Sequence, residues 1–311
     1  MSDLINLYIC APVRDCSHSL IPNINGFQSL LNQQWTHKIV LIIGENNSTD
    51  GTRDILRDLK ISSNNFVVDL VFWPCLDSVY NSRVSRIAFC RNQLLQRAKD
   101  LAKADQSNVS LYIAADFDLD LTSLMSSGSF RQACRDVADE QVDALFPFSL
   151  PFYYDIYALR APGWCPYDST SKIEKYSCRR KVKTLELLAS LWFLARHQRI
   201  CPEKTSRFPV QSAFGGMGIY SMKKVCDSSA VYAVYPRPGR EASDVDNEIC
   251  EHVSFNSYFS EKFVDSGLNL LAPMEHLVLR KLSLLAAFCG LFRCLLLDLR
   301  GLLCWLKKSI L

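Results

Sequence analysis

The feature that most constrains the fold is the alternation of strand and helix patterns along the first ~120 residues. Four apolar runs, rich in β-branched residues, predict strands, and segments with helical spacing separate them. The predicted strands are 4–13, 37–46, 65–73 and 109–115. The predicted helices are 23–35 and 85–103, and 47–59 is predicted to be a turn that leads into a helix, with Asp50 or Thr52 as the N-cap. Strands separated by helices need crossover connections, so the pattern predicts an α/β fold with a mainly parallel sheet flanked by helices.

The fourth predicted strand leads into a cluster of carboxylates, in the stretch LYIAADFDLDL. Asp116, Asp118 and Asp120 occupy alternate positions, so an extended chain would point all three the same way. Oxygen ligands suit Mg²⁺ and Mn²⁺, and Mg²⁺ often takes one or two carboxylates and completes its shell with phosphate oxygens. Because ligands of parallel sheets bind at the carboxyl ends of strands, the cluster predicts a metal site there. The alternative is that these aspartates cap a helix or are simply solvated.

Composition narrows the class of protein. The chain has 311 residues, of which 49% are hydrophobic and 22% are charged, as in globular proteins. Its net charge of +3 is too small to indicate a nucleic-acid partner. Thirteen cysteines, with no paired CxxC pattern and no secretory signal before the first strand, indicate reduced, mostly buried thiols in a cytoplasmic protein.

The carboxyl-terminal part of the sequence differs from the body. We therefore expect a catalytic domain at 1–272 and a tail at 273–311. Within the tail, 277–311 is rich in leucine and has six basic residues against one acidic residue. Its longest charge-free run, 282–292, is too short to span a membrane. The pattern favours an amphipathic, basic helix at the cytoplasmic face of an anionic membrane, and it leaves open a helix packed on the domain or on a partner subunit.

Six short motifs, in order between Asn6 and Asn256, carry a resemblance. They are GENNSTDGT, RIAFCRNQLL, IAADFDLD, YYDIYALR, FGGMGIY and CEHVSFN. ENNSTDGT resembles the acidic motif of nucleotide-sugar glycosyltransferases with the GT-A fold, and the whole set is similar to the capsule-associated mannosyltransferase family and its bacterial relatives. The resemblance implies a Rossmann-like GT-A domain that moves a sugar, mannose in that family, from a nucleoside-diphosphate sugar to a glycan or glycolipid. It also implies Mn²⁺ or Mg²⁺ as the cofactor.

The resemblance implies roles for particular residues as well. Those expected to bind the nucleotide sugar are Pro12, Arg14, Glu45, Asn47, Arg86, Arg91, Asp116, Gly215 and Gly216. The expected metal ligands are Asp118, Asp120 and His252, and the expected catalytic residues are Asp118 and Glu251. Glu251 would be the acceptor-side carboxylate, and it would act as general base if transfer inverts the anomeric centre. Asp155, Arg160 and Trp164 are expected to shape the acceptor or sugar pocket.

Several of these residues have structural alternatives. Glu45 is either a contact to the nucleobase or ribose or an exposed turn carboxylate. Gly215 and Gly216 either let backbone approach a ligand closely or form a plain turn. Asp155 and Arg160 either shape a pocket or pair to tie down a loop, and the aromatic-rich stretch that begins at 146 is either core or a cleft wall.

Helix geometry also bears on the predicted arginines. Arg86 and Arg91 are five residues apart, near 140° of rotation, so they are not expected to share a narrow helix face. By the resemblance, Arg91 with Asn92 is the better pocket candidate. Arg83 and Arg86, spaced i,i+3, either reach a phosphate or form salt bridges.

Two other functions remain open from the sequence. A nucleotidyltransferase on a similar scaffold would also need a metal and aspartates, although its usual glycine-rich, lysine-bearing signature is missing from APVRDCSHS after the first strand. A non-catalytic protein that keeps the fold as a scaffold is the other alternative.

Overall fold

The computed structural model describes residues 4–61, 63–105, 109–176, 183–201, 206–237, 248–273 and 299. In this part of the chain one mixed sheet of eight strands runs through the molecule, in the order β3-β2-β1-β4-β7-β5-β8-β6. The strands are β1 Ile5–Val13, β2 Thr36–Asn46, β3 Phe66–Trp73, β4 Val109–Ala115, β5 Ala144–Leu150, β6 Arg207–Pro209, β7 Met217–Ser221 and β8 Lys262–Leu271.

Helices connect and cover these strands. The α-helices are α1 Ser17–Ser29, α2 Thr52–Asp58, α3 Arg83–Ala104, α4 Thr122–Met125, α5 Gly128–Ala138, α6 Ser169–Tyr176, α7 Lys183–Phe193, α8 Met222–Asp227 and α9 Glu251–Asn256. Short 3-10 turns lie at Leu30–Gln33, Leu76–Ser78 and Ala195–His197. Among the described helices, none is both long enough and apolar enough to cross a bilayer.

The predicted α/β architecture is confirmed. Strands β1 to β4 correspond to the four predicted strands and are mutually parallel. Strand β7 runs antiparallel to both β4 and β5, so β5 and its parallel partner β8 point the same way as the first four strands. Only β6 and β7 oppose that direction within the described sheet.

Two hydrophobic layers hold helices against the two faces of the sheet. Side chains of α1, α4 and α5 pack with one face, where Leu20, Leu124 and Val137 are buried. Side chains of α3, α8 and α9 pack with the opposite face, where Leu94 and Phe255 are buried. Burial of alternate strand residues on both faces is typical of a sheet covered by helices on both sides.

Some elements differ from the prediction. Helix α1 begins at Ser17, before the predicted start at residue 23, and ends at Ser29. The chain then makes the 3-10 turn, and Gln34 adopts a left-handed conformation with φ 58°, so the predicted final helical turn up to residue 35 is absent. Five apolar residues at helical spacing predict this helix; Ile24, Phe27, Leu30 and Trp35 are buried, and Leu31 is partly buried.

The aromatic-rich stretch beginning at 146 forms core. Its first residues belong to β5, which was not predicted, and the aromatic rings that follow pack on one another. The Tyr153 and Trp164 ring centroids are 4.9 Å apart, and Trp164 stacks on Phe148 at 5.7 Å. All three side chains are buried.

Two expectations concern residues that the structure describes only in part. The predicted tail at 273–311 lies outside the described residues, except for Pro273 and Leu299. Of the thirteen cysteines, nine are described and six of those are buried, as expected for a thiol-rich core.

Candidate active site

A cleft of about 490 Å³ opens at the carboxyl ends of β1, β2 and β4. In the sheet register Pro12 lies beside Gly44 and Cys10 beside Ala114, so these three strands end at one edge. The described residues lining the cleft are Pro12, Val13, Arg14, Asp15, Gly44, Asn46, Asp77, Arg83, Arg86, Ile87, Cys90, Arg91, Asp116 and Asp118. The predicted location of a ligand site thus coincides with an actual cavity.

Helix α3 supplies one wall of the cleft. Its lining residues Arg83, Arg86, Ile87, Cys90 and Arg91 follow the i, i+3, i+4, i+7, i+8 spacing of a single helix face. Arg86 and Arg91 both line the cleft, and they do so without sharing a narrow helix face. The face toward the cleft is broad, and the two long side chains meet different partners within it.

Arg91 is the buried cation at the inner end of that wall, with 4% of its surface exposed. Its Nη2 donates to Asp116 Oδ1 at 2.7 Å, and its Nε donates to Glu251 Oε1 at 3.1 Å. Its guanidinium also lies 4.8 Å from the ring centroid of Phe214. Burial acts to lower the pKa of Arg91. The Asp116 and Glu251 carboxylates outweigh this effect and keep that pKa well above its ordinary value. Arg91 is thus a fixed positive charge that joins two predicted site residues.

Asp77 occupies the outer part of the cleft, between two arginines. Arg14 Nη1 lies 3.0 Å from Asp77 Oδ2, and Arg86 Nε lies 3.1 Å from Asp77 Oδ1. Desolvation acts to raise the pKa of Asp77. The two guanidinium groups outweigh that effect, so this pKa is lowered. Arg83 also faces the cleft, and the described residues include no ion-pair partner for it.

The acidic segment after β4 is a turn and not an extended strand. Strand β4 ends at Ala115, so the expectation that all three aspartates share one face is wrong. Asn23 of α1 holds the turn, because its Nδ2 donates to the Leu119 carbonyl at 2.7 Å and its Oδ1 accepts from the Leu121 N–H at 2.9 Å. The turn sends Asp116 and Asp118 into the cleft lining, whereas Asp120 is not part of it.

Asp118 is the acidic group best placed to meet a cation. Its side chain is exposed and lines the cleft, so a cation that arrives from solvent can reach it. Desolvation by nearby protein atoms, together with the neighbouring Asp116 carboxylate, raises the pKa of Asp118 to about 6. A carboxylate destabilised in this way gains from a bound divalent cation. The chemistry of Asp118, with Asp116 beside it, therefore fits a metal whose shell is completed by phosphate oxygens.

The predicted three-residue metal set is not formed. Asp120 accepts hydrogen bonds from the Thr122 N–H at 2.9 Å and the Thr122 hydroxyl at 2.6 Å, and these bonds lower its pKa. His252 is buried and stacks on Phe214 with ring centroids 3.8 Å apart. Burial, aided by Arg91, keeps the pKa of His252 well below its ordinary value. Within the described part of the chain, no three His, Cys, Asp or Glu side chains are grouped to hold a metal.

Glu45 points away from the cleft, because successive strand residues face opposite sides. Gly44 and Asn46 line the cleft, whereas Glu45 is fully buried on the other face. There its carboxylate accepts from the Ser48 N–H at 2.6 Å and pairs with Arg53. Asn47, the next predicted residue, has φ 53° and is not among the cleft-lining residues.

Gly215 and Gly216 have structural reasons to be glycines. Both have positive φ, of 64° and 90°. A Cβ at Gly215 would lie 2.9 Å from the Pro147 carbonyl oxygen, and one at Gly216 would clash with Leu119 Cδ1. The turn and its packing against protein atoms account for both glycines without a ligand.

The residues predicted for the acceptor side are not among the described residues that line the cleft. Asp155 Oδ2 accepts from the Gly215 N–H at 2.9 Å, and burial raises the pKa of Asp155, with smaller contributions from Asp116 and Glu251. Arg160 does not pair with Asp155; its Nη2 donates to Asp168 Oδ2 at 2.9 Å. Trp164 Nε1 donates to the His197 carbonyl at 2.8 Å inside the core.

Sequence reasoning missed Asp77, Gly44 and Asn46 as lining residues. The two β2 residues follow from strand alternation, which selects positions 44 and 46 once the cleft side is known. Asp77 follows β3, and every loop after a parallel strand reaches the same edge of the sheet. Its ion pairs with Arg14 and Arg86 have no signature in the sequence, since they depend on the path of the loop.

Comparisons with known proteins add distant similarities only. No protein-family model matches the chain, and no curated protein matches it either. Among solved structures, Staphylococcus aureus TarS 1-349 is similar with a TM-score of 0.40 and 11% identity over 84% of this chain. Mannosyl-3-phosphoglycerate synthase from Rubrobacter xylanophilus has a TM-score of 0.31 and 11% identity, over 96% of this chain and 74% of its own.

Glucosyl-3-phosphoglycerate synthase from Mycobacterium tuberculosis, solved with Mn²⁺, uridine diphosphate and phosphoglyceric acid, has a TM-score of 0.30 and 12% identity over 71% of this chain. The chain spans 57% of the length of that structure and 57% of TarS 1-349. Similarity at this level assigns neither a family nor an activity to the chain.

Proposed function

We propose that this protein is a metal-dependent glycosyltransferase of the GT-A class, which moves a sugar from a nucleoside diphosphate to a glycan or glycolipid acceptor. One observation carries the proposal: a cleft at the carboxyl ends of parallel strands sets Asp118 in the same cavity as Arg14, Arg83 and Arg86. A carboxylate for a divalent cation and arginines for phosphate oxygens are the two groups that a metal-bound diphosphate requires.

The chemistry of sugar transfer explains why such a site is useful. The diphosphate gains negative charge as the bond to the sugar breaks, so positive groups aimed at its oxygens lower the barrier. A divalent metal supplies Lewis-acid stabilisation of that charge when it is bound. In the proposed site Asp118, with Asp116 beside it, holds the metal, and the arginines of α3 and Arg14 bind the phosphate oxygens. Arg91 keeps Asp116 in position.

The acceptor side of the proposed site is formed by Glu251 and Asp155. If transfer inverts the sugar, Glu251 is our proposed general base, and its contact with Arg91 fixes the orientation of its carboxylate. Burial raises the pKa of Asp155, which is the direction that favours a general base. Mannose as the transferred sugar is proposed from the sequence resemblance alone.

The test is an assay of donor hydrolysis and sugar transfer over a panel of sugar nucleotides, including GDP-mannose, with Mn²⁺ and with EDTA. We expect metal-dependent turnover in the wild-type protein. Asp118→Asn is expected to lower kcat/KM by at least about a hundredfold, because one preorganised electrostatic contact is typically worth that much.

Asp120→Asn is the matched control. It makes the same change two residues away, on a side chain that bonds Thr122 and is outside the cleft lining, so turnover should stay close to the wild-type rate. Wild-type activity in an Asp116→Ala/Asp118→Ala double variant would refute the mechanism. Pyrophosphate release from nucleoside triphosphates, with no turnover of any sugar nucleotide, would favour a nucleotidyltransferase.

A further inference from the structure

The position of Asp77 raises a question about ligand selection. Its carboxylate bridges Arg14 and Arg86, and all three residues line the cleft. These arginines are two of the groups that we propose for the diphosphate. In the described structure the Asp77 carboxylate already pairs with both guanidinium groups, so a diphosphate would compete with it for them.

The charges of all the lining residues also bear on which ligand the cleft accepts. Its described lining contains four arginines and four aspartates, so it presents no net positive charge to an incoming anion. A nucleoside diphosphate without metal carries more negative charge than its metal complex does. Repulsion from a fixed carboxylate grows in proportion to the charge of the ligand, so the free diphosphate is penalised more.

We infer that Asp77 is a specificity-determining residue, which makes the cleft prefer the metal complex of a nucleoside diphosphate over the free diphosphate. The inference rests on the proposed function, and it deepens that function by assigning part of the metal dependence to a residue that does not ligate the metal.

The arginines do not depend on Asp77 alone for their positions. Arg86 Nη1 also donates to the Tyr80 carbonyl at 2.8 Å. Asparagine has nearly the same shape as aspartate and can still accept a hydrogen bond from a guanidinium. Asp77→Asn therefore removes the charge while it leaves the wall of the cleft in place.

The experiment measures dissociation constants for UDP and GDP by calorimetry, in Mn²⁺ and in EDTA, at low ionic strength. For Asp77→Asn we expect binding in EDTA to tighten about three- to fivefold, the range for loss of an exposed charge interaction. The gain should be smaller with Mn²⁺, and it should fade at high salt because exposed charges are screened. A merely structural role for Asp77 would weaken binding and would not produce this salt dependence.

Two controls sharpen the result. Asp69→Asn removes the same charge from another exposed pair, with Arg97 outside the cleft lining, and should leave both constants unchanged. In an Arg14→Gln/Arg86→Gln background, Asp77→Asn should still tighten binding in EDTA but by less, because the competition for these cations is gone and only the repulsion between the Asp77 carboxylate and the diphosphate is removed.

The outcomes separate this inference from the proposed function. If wild type hydrolyses a sugar nucleotide but Asp77→Asn binds free diphosphate no more tightly than wild type, the inference is refuted and the proposed function stands. If Asp77→Asn shows the expected gain but no donor is turned over, the binding preference stands and the glycosyltransferase proposal falls. If neither protein binds UDP or GDP in either buffer, both are refuted.

Discussion

Arg91 compensates two carboxylates from inside the protein, and this makes it the residue on which the site most depends. Asp116 retains access to solvent through the cleft, with 32% of its side chain exposed, whereas only 7% of the Glu251 side chain is exposed. Among the described residues, loss of the guanidinium would therefore leave Glu251 charged in the interior without a positively charged partner.

We predict that Arg91→Met destabilises the fold by about 3 kcal/mol, the lower end of the range for breaking a buried ion pair, because Asp116 can rehydrate. Urea denaturation monitored by circular dichroism measures the change. Arg97→Met removes a cation of the same helix from an exposed pair with Asp69 and should cost less than about 1 kcal/mol. Equal losses in the two variants would contradict this view of Arg91.

At the level of single residues, the sequence located the acidic segment but not the direction of each side chain. Asp118 and Asp120 have the same chemistry and two-residue spacing, yet Asn23, nearly a hundred residues earlier in the chain, decides that they diverge. Likewise, the resemblance implies a ligand contact for Glu45, which is the residue before last of β2. Only the side on which the cleft opens reveals that Gly44 and Asn46 face it.

Among the elements, the turn before β7 joins the two halves of the sheet at the cleft. The Asp116 N–H donates to the Gly216 carbonyl at 2.9 Å, so this turn supports the segment that carries Asp118. We predict that Gly216→Ala destabilises the protein by about 1–3 kcal/mol, because alanine at φ 90° is strained and its Cβ meets Leu119.

Thermal unfolding tests the prediction for Gly216, with Gly128→Ala as the control. Gly128 is the first residue of α5, its φ is not positive, and a Cβ there has no neighbour within 4 Å. Its replacement should be neutral or slightly stabilising, since alanine restricts the unfolded chain. If Gly216→Ala leaves the unfolding temperature unchanged, the turn accommodates alanine without strain and the prediction is wrong.

Asp143 ties three elements together just before β5. Its carboxylate accepts from the Ser260 N–H at 2.7 Å and the Glu261 N–H at 3.1 Å, and it also pairs with Lys224 of α8. Burial acts to raise the pKa of Asp143. The hydrogen bonds from Lys224, Ser260 and Glu261 outweigh this effect, so the pKa of Asp143 is lowered.

We predict that Asp143→Asn costs about 2 kcal/mol at pH 7, in the range for hydrogen bonds to a charged group. Because the folded pKa lies below the unfolded value of about 3.9, this stabilisation is complete above that value and is lost as pH falls through the folded pKa. Denaturation at pH 7, 5 and 3 should therefore show the gap between wild type and variant narrowing toward pH 3. If the difference in unfolding free energy between wild type and Asp143→Asn is the same at all three pH values, the loss of stability comes from packing and not from the charge.

The predictability of the elements depended on their hydrophobic pattern. Strands β1, β2 and β4 are almost continuously buried, and β3 is β-branched and apolar, so each stood out as a run. Strand β6 has only three residues, and β8 contains Asp265, Ser266 and Gly267 within its span. These two pair late in the sheet and carry no such run, so their strand character comes from tertiary pairing.

For the whole molecule, the remaining expectation is membrane contact through 277–311, which stays a prediction. We expect the full-length protein to co-sediment with anionic vesicles and not with zwitterionic ones, in a manner that falls with salt. Lys307→Glu/Lys308→Glu should weaken this binding by at least about 1 kcal/mol per lysine.

Lys223→Glu is the matched control for the vesicle experiment, because Lys223 is an exposed lysine of α8 that pairs with Glu140. Unchanged sedimentation is expected for it. If the tail variant binds vesicles as well as wild type does, the tail packs on the domain or on another subunit, as the sequence also allowed. In either case we would still expect the catalytic domain to end and the tail to begin near residue 273.

The place of β7 in the sheet has a consequence for biosynthesis. During translation the four parallel strands emerge first, but β4 remains an open edge until Met217–Ser221 leaves the ribosome and pairs with it. An unpaired edge is a template for association with other chains. The nascent chain is therefore most exposed to misassembly between the release of Ala115 and that of Ser221, and that interval is where a chaperone would have the most effect.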